Sequence, residues 1–271
     1  MKGKTLYIAL AAVVLMMVSC SKVKEPFLKE TTVEGNRVVL LEDYTGVKCP
    51  NCPEAHEIAE ELLAMFPNNL VVMSIHAGDQ SNPAGGFPDF RTEAGNTWYN
   101  NAFNFDHNPV GTVNRTRNVN GGYGFEDGAW GTKVAEEMAR EQEASLSIAT
   151  TFNETSRELS VTLNTCFLKE IEGDFYIFAG LLEDSIQGKQ LSQSTPALIN
   201  DYWHRNVFRT PINGTWGQSL FNGLTEINQE FETNLNIAVD NNYREDQCYV
   251  VSYIYDNGDK HVIQVGKAKI K

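Results

Sequence analysis

Cys49-Pro50-Asn51-Cys52 carries the clearest chemistry in this chain. Two cysteines at this spacing can form a disulfide, hold a soft metal, or exchange electrons with the thiols of another protein. The residues that follow read as a helix: Ile58, Leu62, Leu63 and Phe66 recur on one face, with Glu57, Glu60 and Glu61 between them. Pro53 has no amide hydrogen to lose in a first turn, and Glu54 suits the positive end of the dipole. Cys49 therefore lies just ahead of a helix N-terminus. Unpaired amides there favour a thiolate and can lower its pKa to roughly 3.5–7.5. Lys48 adds a cation with the same effect. Cys52 is placed to attack a mixed disulfide formed on Cys49.

The helix needs a strand to hold it. Val38 to Leu41 is a continuous apolar run, as in a strand covered on both faces, and Asp43 lies at its end. Leu70 to Ile75 is a second such strand, so the stretch predicts a βαβ unit. His76 falls at the end of the second strand and reads as a polar strand-end residue. His56 lies one turn after Cys52 on the same helical face and reads as pointing to solvent. A copper(I) or zinc site would need Cys49, Cys52 and His56 or His107. No second C-x-x-C and no H-x-x-H pair supports it, so no metal is expected. Serine-hydrolase, Walker and dinucleotide motifs are absent, and no cofactor is expected.

A strand followed by C-x-x-C at a helix start resembles the thioredoxin fold. Asp43 lies where thioredoxins carry a buried acid that exchanges a proton with the second cysteine. Asn108-Pro109-Val110-Gly111-Thr112-Val113 is similar to the thioredoxin cis-proline and its following strand. The resemblance implies that Cys49, Cys52, Asp43 and Pro109 are catalytic. Lys48, Asn108 and Val110 would then contact substrate, with Pro109 holding a substrate strand. Lys48 replaces the family's tryptophan, and Asn108 replaces an apolar or β-branched residue.

Residues 79–107 form an insertion with turn signals and a helix near Phe90 to Phe103. Its Phe90, Trp98, Tyr99 and Phe103 either wall the cysteine site or fill a small core of their own. Trp130 to Glu143 is an amphipathic helix with Val134 and Met138 inward. From Ala144 the pattern changes to alternating strands: Ser145–Phe152, Glu158–Leu168, Asp174–Leu182, Phe231–Val239, Gln247–Tyr255 and His261–Ile270. Asp256-Asn257-Gly258-Asp259 is a hairpin turn between the last two. Leu191 to Leu224 reads as an excursion carrying Trp203, His204, Phe208 and Trp216, which either contacts the first domain or a partner or packs locally. The predicted fold is an α/β thioredoxin-like domain over 37–143, followed by an all-β immunoglobulin-like sandwich over 144–271. Cys166 and Cys248, on two strands of the sandwich, either bridge or remain separate thiols.

Met1 to Ser19 reads as a signal peptide: Lys2 and Lys4, then an apolar run from Leu6 to Val18 too short to span a bilayer. Met17-Val18-Ser19-Cys20 resembles a lipobox, which implies acylation of Cys20 and a tether over 20–36. The net charge of −13 over 271 residues argues against nucleic acid as a partner. Lipobox, T-G-x-x-C-x-x-C-P, N-P-V-G-T and a β-rich C-terminal half together resemble the outer membrane protein 28 family of Bacteroidetes lipoproteins. That resemblance implies a lipid-anchored outer-membrane protein facing the periplasm or the cell surface. Two roles are open: thiol–disulfide exchange on envelope protein thiols or disulfides, or surface binding of adhesin type with Cys49–Cys52 as a structural clip.

Overall fold

The computed structural model describes residues 37–271. The predicted signal peptide, the lipidated Cys20 and the tether fall outside the described residues. β1 (Val39–Thr45), α1 (Cys52–Met65) and β2 (Leu70–His76) form the expected βαβ unit. The two strands are parallel from Val39 against Leu70 to Thr45 against His76. Every residue in both is buried, which explains their apolar runs. β3 (Val110–Val113) follows a cis Asn108–Pro109 bond and runs antiparallel to β1, Val110 opposite Tyr44. α2 is short (Glu93–Thr97) and continues as a π turn over Trp98–Ala102. α3 (Asp127–Met138) starts and ends earlier than predicted but buries Val134 and Met138 as expected. The indole of its Trp130 rests on Gly111, where any Cβ would clash with the ring.

The remaining strands are β4 (Ala144–Asn153), β5 (Glu158–Phe167), β6 (Glu172–Glu183), β7 (Ile186–Leu191), β8 (Leu198–His204), β9 (Val207–Pro211), β10 (Gln218–Leu224), β11 (Gln229–Ala238), β12 (Cys248–Asp256) and β13 (Val262–Lys269). They correct the predicted fold class. The described chain is mostly β, and it does not divide into an α/β thioredoxin-like domain followed by an immunoglobulin-like sandwich. One eight-stranded sheet runs β13-β12-β6-β9-β2-β1-β3, with β10 also paired to β6. The physical reason is β9. It is antiparallel to β6 and meets β2 in parallel at Ser74–Val207, so strands from both halves share one hydrogen-bonded sheet. One core follows the sheet across this junction, from Tyr44, Met73 and Trp98 to Phe178, Phe208 and Tyr253.

A second sheet, β11-β5-β4, covers the C-terminal part of the first. Leu159, Val161 and Leu163 of β5 pack against Ile177, Ala179 and Leu181 of β6 and Val250 of β12. The alternation along β5 places Cys166 on the outer face, whereas Cys248 points into the core. The Cys166–Cys248 bridge is accordingly not formed, and both thiols are free.

In the last turn of α3, Glu137 ties the first described residue, Arg37, to the β12–β13 hairpin. It accepts from Arg37 Nη2 (3.0 Å), Asn114 Nδ2 (2.9 Å) and Arg140 Nη1 (3.1 Å), and lies 3.3 Å from His261 Nε2. Burial alone would push this carboxyl up. Hydrogen bonds to His261 and Asn114, then the charge of Arg140, outweigh burial and hold it at about 2. A folded pKa below the unfolded one stabilises above the unfolded value, and that stability is lost as pH falls. Wild type should therefore lose about 3 kcal/mol between about pH 5 and pH 2 that Glu137→Gln, less stable from the start, does not lose. Urea midpoints across this range test it, and parallel curves would refute it.

Candidate functional site

Cys49 and Cys52 are joined in a disulfide at the start of α1. Pro53 occupies the first turn and Glu54 is its acidic residue, as the spacing predicts. The loop ahead of the helix is tight. Gly46 is required there because a Cβ would fall 2.6 Å from the Gln80 carbonyl. Lys48 N–H donates to that same carbonyl (2.8 Å), and its ammonium lies 5.5 Å from the centre of the Phe87 ring.

Asp43 is fully buried on β1. Neither carboxylate oxygen has a partner in hydrogen-bond geometry. Its polar neighbours are His56 Nε2, 3.3 Å from Oδ2, and the Ser74 hydroxyl. Burial pushes its pKa up to about 7; Ser74 opposes this and Asp127 adds to it. His56 is not turned to solvent. Its side chain is 15 % exposed and is held from both ends, Nε2 2.9 Å from Thr45 Oγ1 and Nδ1 2.6 Å from the Tyr202 hydroxyl. Burial lowers its pKa to about 4, so the ring is neutral at pH 7. Asp43, His56, Ser74 and Tyr202 border a cavity of about 560 Å³ between α1 and β8.

Both cysteines are 0 % exposed because a hairpin, β7–β8, lies over their loop. Gln190 Nε2 donates to the carbonyls of Gly46 (3.1 Å) and Cys49 (3.0 Å). Leu191 N–H donates to Val47 O, and Gln193 N–H to Pro50 O, each at 2.9 Å. The sequence allowed the 191–224 excursion to contact the first domain, as it does, but did not foresee the hairpin or its hold on the cysteine loop. Gln190 and Tyr202 carry no local signal, because what they do depends on residues more than a hundred positions away.

His76 is also buried, with its ring 4.9 Å from Phe90 and 5.6 Å from His204. Burial and the neighbouring imidazole keep His76 neutral. Asn108 is buried and donates from Nδ2 to Ala77 O (3.0 Å), while Pro109 and Val110 are buried beside it. Trp98, Tyr99 and Phe103 belong to the main core, and Phe90 packs with Val47 and Val207 near the strap. His107 lies apart, its ring nitrogens 2.8 Å from Asp106 and 3.1 Å from Glu126. Among the described residues no group of three or more His, Cys, Asp or Glu could hold a metal ion, and no helix is long and apolar enough to cross a membrane.

The chain is similar in fold to HBP35 of Porphyromonas gingivalis, at 13% identity and TM-score 0.66, over 87% of this chain and 76% of that one. It is also similar to protein AGR_C_4864 from Agrobacterium tumefaciens, at 11% identity and TM-score 0.52, over 87% and 96%. A domain of the outer membrane lipoprotein Omp28 from Porphyromonas gingivalis matches at 16% identity and TM-score 0.34, over 48% and 88%. No curated protein sequence matches. The family model of outer membrane protein Omp28 matches residues 96–271, well over half the chain, from the end of α2 through β13. The strap and the bridging strand β9 fall within that match, β1, β2 and the Cys49–Cys52 pair lie ahead of it, and the chain belongs to the Omp28 family of outer membrane proteins.

Proposed function

We propose that this protein is an outer-membrane lipoprotein, anchored through Cys20, whose Cys49–Cys52 pair exchanges with thiols or disulfides of envelope proteins. The observation that carries this reading is Asp43. A buried carboxyl whose oxygens have only the Ser74 hydroxyl and His56 Nε2 at 3.3 Å beside them destabilises a fold when ionised, and a carboxyl perturbed in this way is a mark of functional sites. Here it lies on β1, the strand that leads into the loop of the disulfide at the start of α1. In the oxidising direction a substrate thiolate attacks Cys49 Sγ. The Cys49–Cys52 bond breaks, a mixed disulfide forms, and Cys52 leaves as a thiolate to be protonated with Asp43 as the local acid. A second substrate thiolate attacks the mixed disulfide and releases Cys49. Two substrate thiols are then oxidised to one disulfide, and the cysteine pair is reduced. The reverse sequence reduces a substrate disulfide, with Cys52 resolving. Pro109, Asn108 and Val110 are the proposed substrate-side residues, with Lys48 at the mouth. Orientation toward periplasm or cell surface follows from where the substrate resides.

One observation favours a second reading. Both cysteines are sealed beneath the β7–β8 strap, which suits a permanent clip in a surface-binding lipoprotein. The reduction potential separates the two. Protein lacking residues 1–20 is equilibrated in glutathione buffers and its thiols are trapped with a maleimide. A potential of roughly −120 to −270 mV supports exchange, and one below about −300 mV supports the clip. The strap predicts a kinetic effect as well. Gln190→Ala removes two side-chain hydrogen bonds to the cysteine loop and should speed reduction by dithiothreitol about thirtyfold, because each such bond holds the closed state by about 1 kcal/mol. An unchanged rate would show that the strap does not gate the disulfide.

A further inference from the structure

A buried carboxyl that takes up and gives back a proton needs a route to water, and Asp43, although it borders the cavity between α1 and β8, has no exposed surface of its own. Two short contacts lead from it through one ring. His56 Nε2 is 3.3 Å from Asp43 Oδ2, and Nδ1, on the far side of the ring, is 2.6 Å from the Tyr202 hydroxyl. Tyr202 is half-buried and borders the open cavity between α1 and β8. We propose that His56 and Tyr202 form a proton relay that connects Asp43 with that cavity, and so with solvent. The proposal rests on the exchange reading for its purpose but on this geometry for its existence.

The step balances with neutral groups. In the tautomer with hydrogen on Nε2, the Tyr202 hydroxyl donates to Nδ1. Tyr202 passes its proton to Nδ1 and takes one from a solvent donor in the cavity. The Nε2–H bond breaks and its proton forms the O–H bond on Asp43 Oδ2. The carboxylate becomes a carboxyl, the tyrosine is restored, and the imidazole has changed tautomer without becoming a cation. Release of the proton runs the same bonds in reverse and resets the ring. A cationic imidazole is not needed, in keeping with the burial of His56, and a tyrosinate is not needed either, in keeping with the raised pKa of Tyr202.

The surroundings keep the relay residues neutral. His56 has His76 and His204 beside it, both held neutral mainly by burial. Tyr202 faces Asp43, Glu57 and Glu60, with Arg205 opposing them. Asp43 has Asp127 of α3 behind it and Ser74 of β2 beside it. Thr45 Oγ1, 2.9 Å from Nε2, accepts the Nε2–H at rest, and a small tilt of the ring brings that hydrogen onto Asp43 Oδ2, 3.3 Å from the same nitrogen, for the transfer. His56 and Tyr202 are positioning residues in this scheme, since neither touches the sulfurs.

The test follows the carboxyl itself. Oxidised protein is jumped from pH 8 to pH 6, and the infrared C=O band of protonated Asp43, identified by its absence in Asp43→Asn, is followed with time. Tyr202→Phe and His56→Phe should slow its appearance by roughly ten- to a hundredfold. His56→Ala should be slowed likewise and restored by added imidazole, which a purely structural role would not produce. Equal rates in wild type and all three variants, or a slow His56→Ala that imidazole does not rescue, would overturn the relay. Glutathione exchange measured on the same proteins keeps the two ideas apart. A working relay beside an inert disulfide would sink the exchange reading alone.

Discussion

Asp43→Asn should stabilise the fold by about 4 kcal/mol at pH 8 and by almost nothing at pH 4. The direction comes from linkage. Burial raises the folded pKa of Asp43 from 3.8 to about 7. Between those values the folded protein holds a proton that the unfolded chain has released, so folding is opposed progressively as pH rises through 7. Asparagine keeps the shape and removes the ionisation. Urea unfolding of both proteins at several pH values reads the difference directly. A gap that does not widen with pH would mean that Asp43 is not held protonated by the fold. The same substitution should weaken thiol exchange, so a gain in stability beside a loss of activity would place Asp43 in the function rather than in the scaffold.

Arg115→Met should destabilise the protein by about 3–5 kcal/mol, because it strands a buried charge. Arg115 and Glu42 have fully buried side chains, and two guanidinium nitrogens, Nε at 2.9 Å and Nη2 at 2.5 Å, donate to the carboxylate. Thr112 Oγ1 donates to Glu42 (2.6 Å), and Arg115 also donates to the Tyr253 hydroxyl (2.6 Å). The guanidinium lies 4.9–5.9 Å from the ring centres of Trp98, Phe103, Trp216, Tyr253 and Tyr255. Glu42→Leu alone should cost about as much, whereas the double variant should recover most of the loss, because no unpaired charge then remains. Chemical denaturation of the four proteins tests this. Additive single effects would mean that the pair is not coupled.

The sequence made some of this legible and hid the rest, for physical reasons. The β1–α1–β2 unit was readable because its strands are buried on both faces and its helix has one apolar face. The long strands β4, β5, β6, β11, β12 and β13 were readable from alternation or sustained apolar runs, and Asp256–Asp259 marked the turn between the last two. β7 to β10 were not, because they are short and polar; β8, LINDYWH, buries only His204. Those four strands decide the architecture and the site. β9 joins the halves into one sheet, which overturns the two-part fold class. β7 and β8 seal the disulfide and supply Tyr202. His56 was read as solvent-facing because nothing near it in the chain predicts a hydroxyl arriving 146 positions later. Glu42 and Arg115 were likewise unremarkable as letters, 73 residues apart.

The contact of β9 with β2 has a consequence for how the chain acquires its shape. Until residue 207 is available, the outer edge of β2 has no partner and the loop of Cys49 and Cys52 has no cover. Emerging from its N-terminus, the chain holds an open sheet edge and two accessible thiols while about 140 further residues follow. The disulfide is most easily made in that interval and becomes shielded when the strap and β9 close over it. The order in which the polypeptide is delivered thus sets a window for oxidation, and a chain truncated before β7 would keep a reactive pair and an adhesive edge.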